Sequence, residues 1–251
     1  MFKHFNENNL EITSEDVTSM IGVNPIKLLY YQKAFIHKSV LRFLANQEEE
    51  SLRVSYERYE FLGDSVLNLV IANFVFHKYP DKDEGFLTRI RTKLVNGKTL
   101  AYLANKTNMN KFLIISKNVE NIGGRNNDRI LEDVFEAFIC SINLDLGFKY
   151  AEKFILDTVN KHINFEELEE DNNYKDILLR KCQQSIQVNP EYELVETTGP
   201  AHKKIFTSVV IINGRKYSEG TSKTKKESEQ IASKLTLEFL NKNGNELNKV
   251  Y

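Results

Sequence analysis

The sequence contains little cysteine or proline and no long uninterrupted apolar run. Its two cysteines, Cys140 and Cys182, are far apart and have no His or Cys at zinc-finger spacing, so neither a disulfide framework nor a zinc site is expected. Four prolines exclude a proline-rich linker protein and favour helices. Because no apolar run reaches the ~18–20 residues of a membrane span and the N-terminus lacks a signal-peptide pattern, we expect no membrane association and a cytoplasmic location.

The overall composition and the distribution of charge indicate a folded chain with two domains. Hydrophobic residues make up 41% of the 251 residues and charged residues 27%, which is enough apolar material for packed cores. The charge is unevenly divided: residues 172–251 carry 13 Lys and Arg against nine Asp and Glu, and the rest carries 21 against 26. A basic C-terminal module following an acidic one is compatible with an anchor for a polyanion joined to a metal-dependent unit.

The apolar periodicity predicts an all-helical domain over residues 1–165. A largely buried helix is expected over Tyr56–Tyr79, because its apolar residues surround the helix axis. Further helices are predicted at Pro25–Phe35, Phe86–Thr107, Ile130–Asp145 and Tyr150–Val159. Residues 166–173 are strongly acidic and indicate a linker, although the first half of this segment also fits the solvated end of a helix.

The pattern changes after the linker to α-β-β-β-α over residues 174–243. Helices are predicted at Tyr174–Ser185 and Lys225–Asn241, with strands between them at Glu191–Thr197, Lys204–Ile212 and Arg215–Thr221. Asn213-Gly214 lies between two β-branched runs and predicts a tight hairpin turn, which requires positive φ at both residues. Residues 244–251 are expected to form a C-terminal tail.

Carboxylates occur within the most apolar helices, where they are unexpected. Glu57, Glu60 and Asp64 have the spacing i, i+3 and i+7, which places them on one helical face. The predicted helix at Ile130–Asp145 carries Asp133 and Glu136 one turn apart among large apolar residues. Since an ionised carboxylate in apolar surroundings is costly without a compensating cation, positive charge is expected at this place.

These carboxylates predict a metal site if the two helices pack side by side. Glu60, Asp64, Asp133 and Glu136 would supply oxygen ligands without His or Cys, a set that favours Mg²⁺ or Mn²⁺. Gly63 costs about 1 kcal/mol relative to Ala within a helix, so we expect it to permit a close approach of the second helix or the ligand. The alternative is that the carboxylates face solvent or pair with Arg58 and Arg129.

The segment Tyr56-Glu57-Arg58-Tyr59-Glu60-Phe61-Leu62-Gly63-Asp64-Ser65-Val66-Leu67 closely resembles the signature helix of the ribonuclease III family. Similar matches are Ala34–Ser39, Arg91–Asn96 and Ile130–Ala137. The resemblance implies a homodimeric, divalent-metal endonuclease that cuts both strands of duplex RNA, leaving 5′-phosphate and 3′-hydroxyl ends. By position, it also implies that Glu60, Asp64, Asp133 and Glu136 hold the metal and that Glu57 is an additional acidic residue of the cleft. No small-molecule organic cofactor is expected.

The second module resembles a double-stranded-RNA-binding domain. The resemblance rests on Gly199-Pro200-Ala201-His202 between the first two strands and on Thr224–Gln230 at the start of the last helix. Gly199, Pro200 and His202 are expected to reach the RNA minor groove. Lys223, Lys225 and Lys226 are expected to contact phosphates at the N-terminus of the last helix, although they also fit an ordinary solvated face.

The chain departs from the family pattern at several positions. Leu179 and Arg180 replace the usual Gln and Glu of the first helix of the RNA-binding module, and Tyr56, Ser222 and Glu132 stand where Asn, Gly and Ala are common. His37 is expected to pack against neighbours rather than act as a base. Two other functions fit the sequence: a non-catalytic RNA-binding or ribonucleoprotein subunit, and a nuclease for short regulatory duplexes.

Overall fold

A computed structural model describes residues 6–41, 55–200 and 203–242. The chain divides into two compact units, the first ending at Leu168 and the second beginning at Glu169. The fold class predicted from the sequence, a helical domain followed by an α-β-β-β-α domain, is confirmed. Residues 244–251, predicted as a tail, and His202 of the predicted minor-groove loop lie outside the described residues.

The first unit consists of helices around a main apolar core, with a small second cluster formed by Ile36, Val40 and Ile114. In chain order they are α1 (Ser14–Ile21), α2 (Leu28–Ala34), α3 (Glu57–Lys78), α4 (Glu84–Val95), α5 (Gly97–Lys106), α6 (Lys117–Asn121), α7 (Asp128–Leu146), α8 (Phe148–His162) and α9 (Phe165–Glu169). Short 3₁₀ helices occur at Lys38–Val40, Met109–Phe112 and Gly124–Asn126.

Helix α7 is the central helix of this unit. Apart from Glu136 and Ser141, the side chains that it buries between Leu131 and Ile142 are apolar. Phe138 packs edge-on against Tyr31 of α2 and Phe154 of α8, with ring centroids 5.6 and 5.4 Å apart. Aromatic pairs of this kind add to the stabilisation from buried area. The core therefore fixes α7 from several sides.

Helix α3 packs on α7 with one face and leaves the other exposed. Its inner face places Leu67, Val70 and Ile71 in the core. By length and composition, α3 is the one helix among the described residues that would also fit a membrane span, a test that core helices of water-soluble proteins pass as well. Polar residues such as Asp64 and Asn68 interrupt its apolar sequence, so α3 has no long continuous apolar run.

The helix predicted at Phe86–Thr107 was wrong, because the structure has two helices there. Asn96 lies between α4 and α5 in extended conformation, and its side chain accepts a hydrogen bond from the Thr99 N–H. This N-cap satisfies a donor at the start of α5 and so begins a new helix. Helix α1 was not predicted, although Thr13 and Asp16 form a capping box there.

The second unit is a three-stranded antiparallel sheet with two helices. It comprises α10 (Tyr174–Ile186), β1 (Glu191–Thr198), β2 (Ile205–Ile212), β3 (Arg215–Ser222) and α11 (Lys225–Lys242), with strand order β1-β2-β3. The hairpin prediction is confirmed, since Asn213 and Gly214 have φ of 50° and 75°. Leu178 and Cys182 of α10 share a core with Val210 and Leu240.

The acidic segment between the units begins as a helix. Residues 165–169 form α9, and residues 170–173 have no regular structure. Phe165 packs on Phe74 of α3 at 5.7 Å between ring centroids, which ties the start of this segment to the first unit. The segment predicted as a linker over 166–173 thus contains a helical first half, the alternative that the sequence left open.

Candidate active site

The two acidic helices are in direct contact beside their carboxylates. A Cβ atom at Gly63 of α3 would lie 1.8 Å from the Glu136 carbonyl oxygen of α7. Only glycine leaves room for backbone at that distance, so the predicted close approach at Gly63 is confirmed. Asp64 and Glu136 therefore lie on touching elements of the same domain.

Glu136 is a buried carboxylate without a recorded partner. Its residue is 7% exposed, and within the described part of the chain its side chain has no hydrogen-bond or ion-pair partner. Burial, followed by the charges of Asp64 and Glu132, raises the pKa of Glu136 from 4.5 to about 8. A buried acid that repels its neighbours in this way is a candidate functional group and a natural cation ligand.

The pKa values of the neighbouring acids Glu60 and Asp133 are also raised. Burial and then Asp133 raise the pKa of Glu60. Burial also raises the pKa of Asp133, against the lowering effects of the Tyr56 hydrogen bond and of Arg129. Glu60, Asp133 and Glu136 thus share one electrostatic environment across α3 and α7.

Glu57 and Asp64 have neutralising or hydrogen-bonding partners. Glu57 accepts from Lys38 Nζ at 2.9 Å and from Ser55 Oγ at 2.9 Å. These two hydrogen bonds lower the pKa of Glu57. Asp64 Oδ1 accepts from Asn68 Nδ2 at 2.6 Å, one turn along α3. Glu57 is therefore already satisfied by the protein, in contrast to Glu136.

The pairing with Arg58 and Arg129 that the sequence left open is not the arrangement found. Lys38, not Arg58, pairs with Glu57, and neither arginine has an ion pair with an acidic residue in the described ranges. Arg129 nevertheless lies near enough to lower the pKa of Glu60 and Asp133. It remains a cation at the edge of the acidic group.

A polar cleft of about 400 Å³ opens beside these carboxylates. Residues from the Lys38 turn, α3 and α7 line it: His37, Lys38, Tyr56, Glu57, Glu60, Asn127, Arg129, Ile130 and Asp133. His37 accepts from the Ser39 N–H and packs on Tyr56 at 5.8 Å, which is the packing role predicted for it. The cleft lining thus combines the acids Glu57, Glu60 and Asp133 with two cations, whereas Asp64 and Glu136 are not among its lining residues.

The four predicted ligand side chains do not form a metal-binding group in this structure. Among the described residues no three His, Cys, Asp or Glu side chains form a group that could hold a metal ion. The donor set nevertheless fits Mg²⁺, because it consists of oxygen atoms and includes an unpartnered buried carboxylate. The convergence of all four side chains on one ion stays a prediction.

The contacts that the sequence did not reveal come from outside the acidic motifs. Ser55 and Lys38 hold Glu57, and the Tyr56 hydroxyl donates to Asp133 Oδ2 at 3.2 Å. Arg129 had a local signal, because Arg129, Asp133 and Glu136 share a helical face at i, i+4 and i+7. Ser55 is only two residues from Glu57, whereas the contacts of Lys38 with Glu57 and of Tyr56 with Asp133 had no local signal, because they depend on which elements pack together.

The candidate RNA-contact residues of the second unit lie in two places. Gly199 has φ of 89°, and a Cβ atom there would lie 2.5 Å from the Lys203 carbonyl oxygen, so this tight loop requires glycine. Pro200 accepts a hydrogen bond from the Lys203 N–H at 2.8 Å. Lys223, Lys225 and Lys226 are all exposed at the beginning of α11.

Comparison with known proteins assigns both units. Residues 28–163, more than half of the chain, match the family model described as Ribonuclease-III-like, and residues 174–240 match the double-stranded RNA binding motif. A protein of Paramecium bursaria Chlorella virus 1 is 40% identical over 225 residues, covering 90% of this chain and 78% of the relative. Ribonuclease 3 of Staphylococcus aureus is 38% identical over 205 residues, covering 81% and 82%.

A solved structure agrees with this assignment for the first unit. The nuclease domain of ribonuclease III from Campylobacter jejuni is 33% identical and has a TM-score of 0.53, covering 60% of this chain and 99% of that domain. That structure is described as showing flexibility in a region involved in dimer formation. The chain therefore belongs to the ribonuclease III family, whose nuclease domain it joins to a double-stranded-RNA-binding domain.

Proposed function

We propose that this ribonuclease III-family endoribonuclease of double-stranded RNA uses Mg²⁺ at Glu60, Asp64, Asp133 and Glu136, with Mn²⁺ as a substitute. The observation that carries this proposal is the buried, unpartnered carboxylate of Glu136 on the helix that touches Gly63. An acid in that position is costly unless a cation joins it.

The proposed reaction is hydrolysis of an RNA phosphodiester, giving 5′-phosphate and 3′-hydroxyl ends. When bound, the ion supplies a water of lowered pKa and stabilises charge on the phosphate and on the leaving oxygen. The protein contributes the carboxylate ligands and a cleft that holds the backbone next to them. Lys38 and Arg129 add positive charge to the lining of this cleft, which would attract a phosphate.

Glu57 has a different role in this proposal. Both of its oxygens already accept hydrogen bonds, from Lys38 and Ser55, so it is not one of the four ligands. It holds Lys38 in the lining of the cleft and adds negative charge beside Glu60. This agrees with its separate position in the family resemblance.

We infer that the RNA-binding domain recognises the duplex by shape. A-form RNA presents 2′-hydroxyls in its shallow minor groove and phosphates across the major groove, so little sequence is read. Lys223, Lys225 and Lys226 are exposed where helix α11 begins, and the helix dipole adds to their attraction for phosphate. Gly199, Pro200 and His202 belong to the loop proposed to reach the minor groove.

We also infer that two copies of the chain form a dimer through α3. Its outer face exposes Phe61, Leu69 and Phe76, which are 78%, 60% and 64% exposed. A row of exposed large apolar residues indicates an interface. A twofold dimer would provide two active sites, one for each strand of a duplex. The Campylobacter jejuni nuclease domain is described with a region involved in dimer formation, which supports dimerisation without identifying the face.

The deciding experiment uses purified protein and a long, end-labelled RNA duplex. With Mg²⁺ or Mn²⁺ we expect cleavage of both strands and 5′-phosphate ends, and with excess EDTA we expect none. Cleavage that persists after chelation would contradict the metal proposal. Duplex binding without cleavage in any divalent metal would favour the non-catalytic alternative. Restriction of cleavage to short duplexes would favour a role on regulatory RNA. The cytoplasmic location stays a prediction.

A further inference from the structure

Tyr56 is buried at the junction between the two acidic helices. Its residue is 2% exposed, and it directly precedes the first residue of α3. The Tyr56 N–H donates to the Ile36 carbonyl at 3.0 Å, and the Tyr56 carbonyl accepts from the N–H groups of Tyr59 and Glu60. The backbone of Tyr56 is therefore held by hydrogen bonds and its side chain by burial, independently of any bond that the hydroxyl makes.

The hydroxyl of this fixed residue crosses from α3 to α7. It donates to Asp133 Oδ2 at 3.2 Å, which leaves Asp133 Oδ1 free of that donor. A tyrosine hydroxyl carries its proton at neutral pH, so it is the donor and the ionised carboxylate is the acceptor. Such a bond restricts the rotation of the Asp133 carboxylate.

We propose that Tyr56 is a positioning residue that holds Asp133 with one oxygen turned toward the metal, an inference that rests on the proposed function. A ligand carboxylate that is hydrogen-bonded by a fixed partner pays less entropy when it binds an ion, and such partners commonly change metal affinity by 10–100-fold. Tyr56 is not one of the four proposed ligands. It acts only through Asp133.

The ordinary explanation is that the Tyr56 ring simply fills space. The ring does pack on His37, and phenylalanine would keep that contact. The hydroxyl, however, bonds a carboxylate of the proposed site rather than backbone or solvent. Packing and positioning therefore make different predictions for a variant that lacks only the hydroxyl.

The test measures Mn²⁺ binding to full-length, metal-free protein without RNA, by isothermal titration calorimetry. We expect Tyr56→Phe to weaken Mn²⁺ binding by roughly 10–100-fold relative to the unaltered protein. Tyr59→Phe is the matched control, because Tyr59 lies one turn along α3 and its hydroxyl has no hydrogen bond to the carboxylates in the described structure. It should leave Mn²⁺ affinity within about twofold, because the hydroxyl that it removes is hydrogen-bonded to none of the proposed ligands.

A second comparison uses the Asp133→Asn variant as the background. It distinguishes an effect that acts through Asp133 from general damage to the fold. In that background Tyr56→Phe should have little further effect on the remaining Mn²⁺ affinity, because the positioned carboxylate is already gone. Equal Mn²⁺ affinity of Tyr56→Phe and the unaltered protein would overturn the inference, as would the same loss with and without Asp133. If the unaltered protein itself binds no Mn²⁺, the proposed function fails first and the inference falls with it.

Discussion

Gly63 of α3 touches the Glu136 backbone of α7, so the two helices meet one residue before Asp64. The two helices can lie this close because residue 63 is a glycine and has no side chain. Asp64 and Glu136 are held near each other by this backbone contact as well as by the surrounding core. Site geometry and domain packing are therefore coupled at one position.

Gly63→Ala should consequently be strongly destabilising. The added Cβ meets backbone that cannot move without separating the helices, and overpacking of this kind typically costs about 1–3 kcal/mol or more. Gly97→Ala is the matched control, since its Cβ would meet the flexible end of the Glu132 side chain, 2.3 Å from Oε2. Thermal unfolding of the two variants measures the difference. Equal melting temperatures would contradict the contact at Gly63.

Glu136→Ala should abolish cleavage while duplex binding stays within a few-fold. The carboxylate belongs to the proposed metal site, whereas affinity for duplex RNA comes mainly from phosphate contacts. Glu152→Ala, on helix α8, is the control that should cleave normally. Cleavage rates and filter binding of the same preparations separate the two properties. Parallel loss of cleavage and binding would indicate misfolding, and full activity would remove Glu136 from the site.

The sequence predicts the elements of this fold better than their ends. Apolar periodicity locates α3 and α7, and Asn213-Gly214 identifies the hairpin, because these signals are local. Asn96 was missed as a helix boundary, since the surrounding apolar pattern continues through it while its side chain caps a new helix. Helix α1 was missed in the same way at its Thr13 cap.

The carboxylates proposed for the site are identified by local spacing, but most of their partners are not. The i, i+3, i+7 pattern identifies one acidic face of α3, and the same reasoning applies to Asp133 and Glu136. Lys38 reaches Glu57, and Tyr56 reaches Asp133, only after the chain has folded. Such contacts between distant segments are set by packing rather than by neighbouring residues.

Metal-free protein should lose stability as pH rises, because of Glu136. The pKa of this buried acid is about 8, against 4.5 for an ordinary glutamate, so between these values the folded state holds a proton that the unfolded state has released. Stability from this group is thus full below pH 4.5 and falls until about pH 8. In EDTA, the melting temperature of Glu136→Gln should fall less than that of the unaltered protein over this range. Identical pH profiles would contradict the raised pKa.

The paired substitution Lys225→Ala and Lys226→Ala should weaken duplex binding and reduce its salt dependence. Each phosphate contact contributes about 0.9 to the slope of log K against log salt, so losing two should flatten the slope by about 2. Lys234→Ala with Lys242→Ala, further along α11, provides a control of equal charge change. Binding titrations between low and moderate salt give the slopes. An unchanged slope in the first variant would place these lysines away from the phosphates.

Charge on the outer face of α3 should separate the proposed dimer. Leu69→Glu with Phe76→Glu puts two carboxylates where an apolar interface is proposed, and buried unpaired charge is strongly unfavourable. Ile122→Glu is the control, because Ile122 is 84% exposed but lies outside α3. Sedimentation equilibrium should give a dimer for the control and the unaltered protein, and a monomer for the paired variant. A paired variant that remains dimeric would exclude this face as the interface, and the twofold arrangement of active sites would then require another surface.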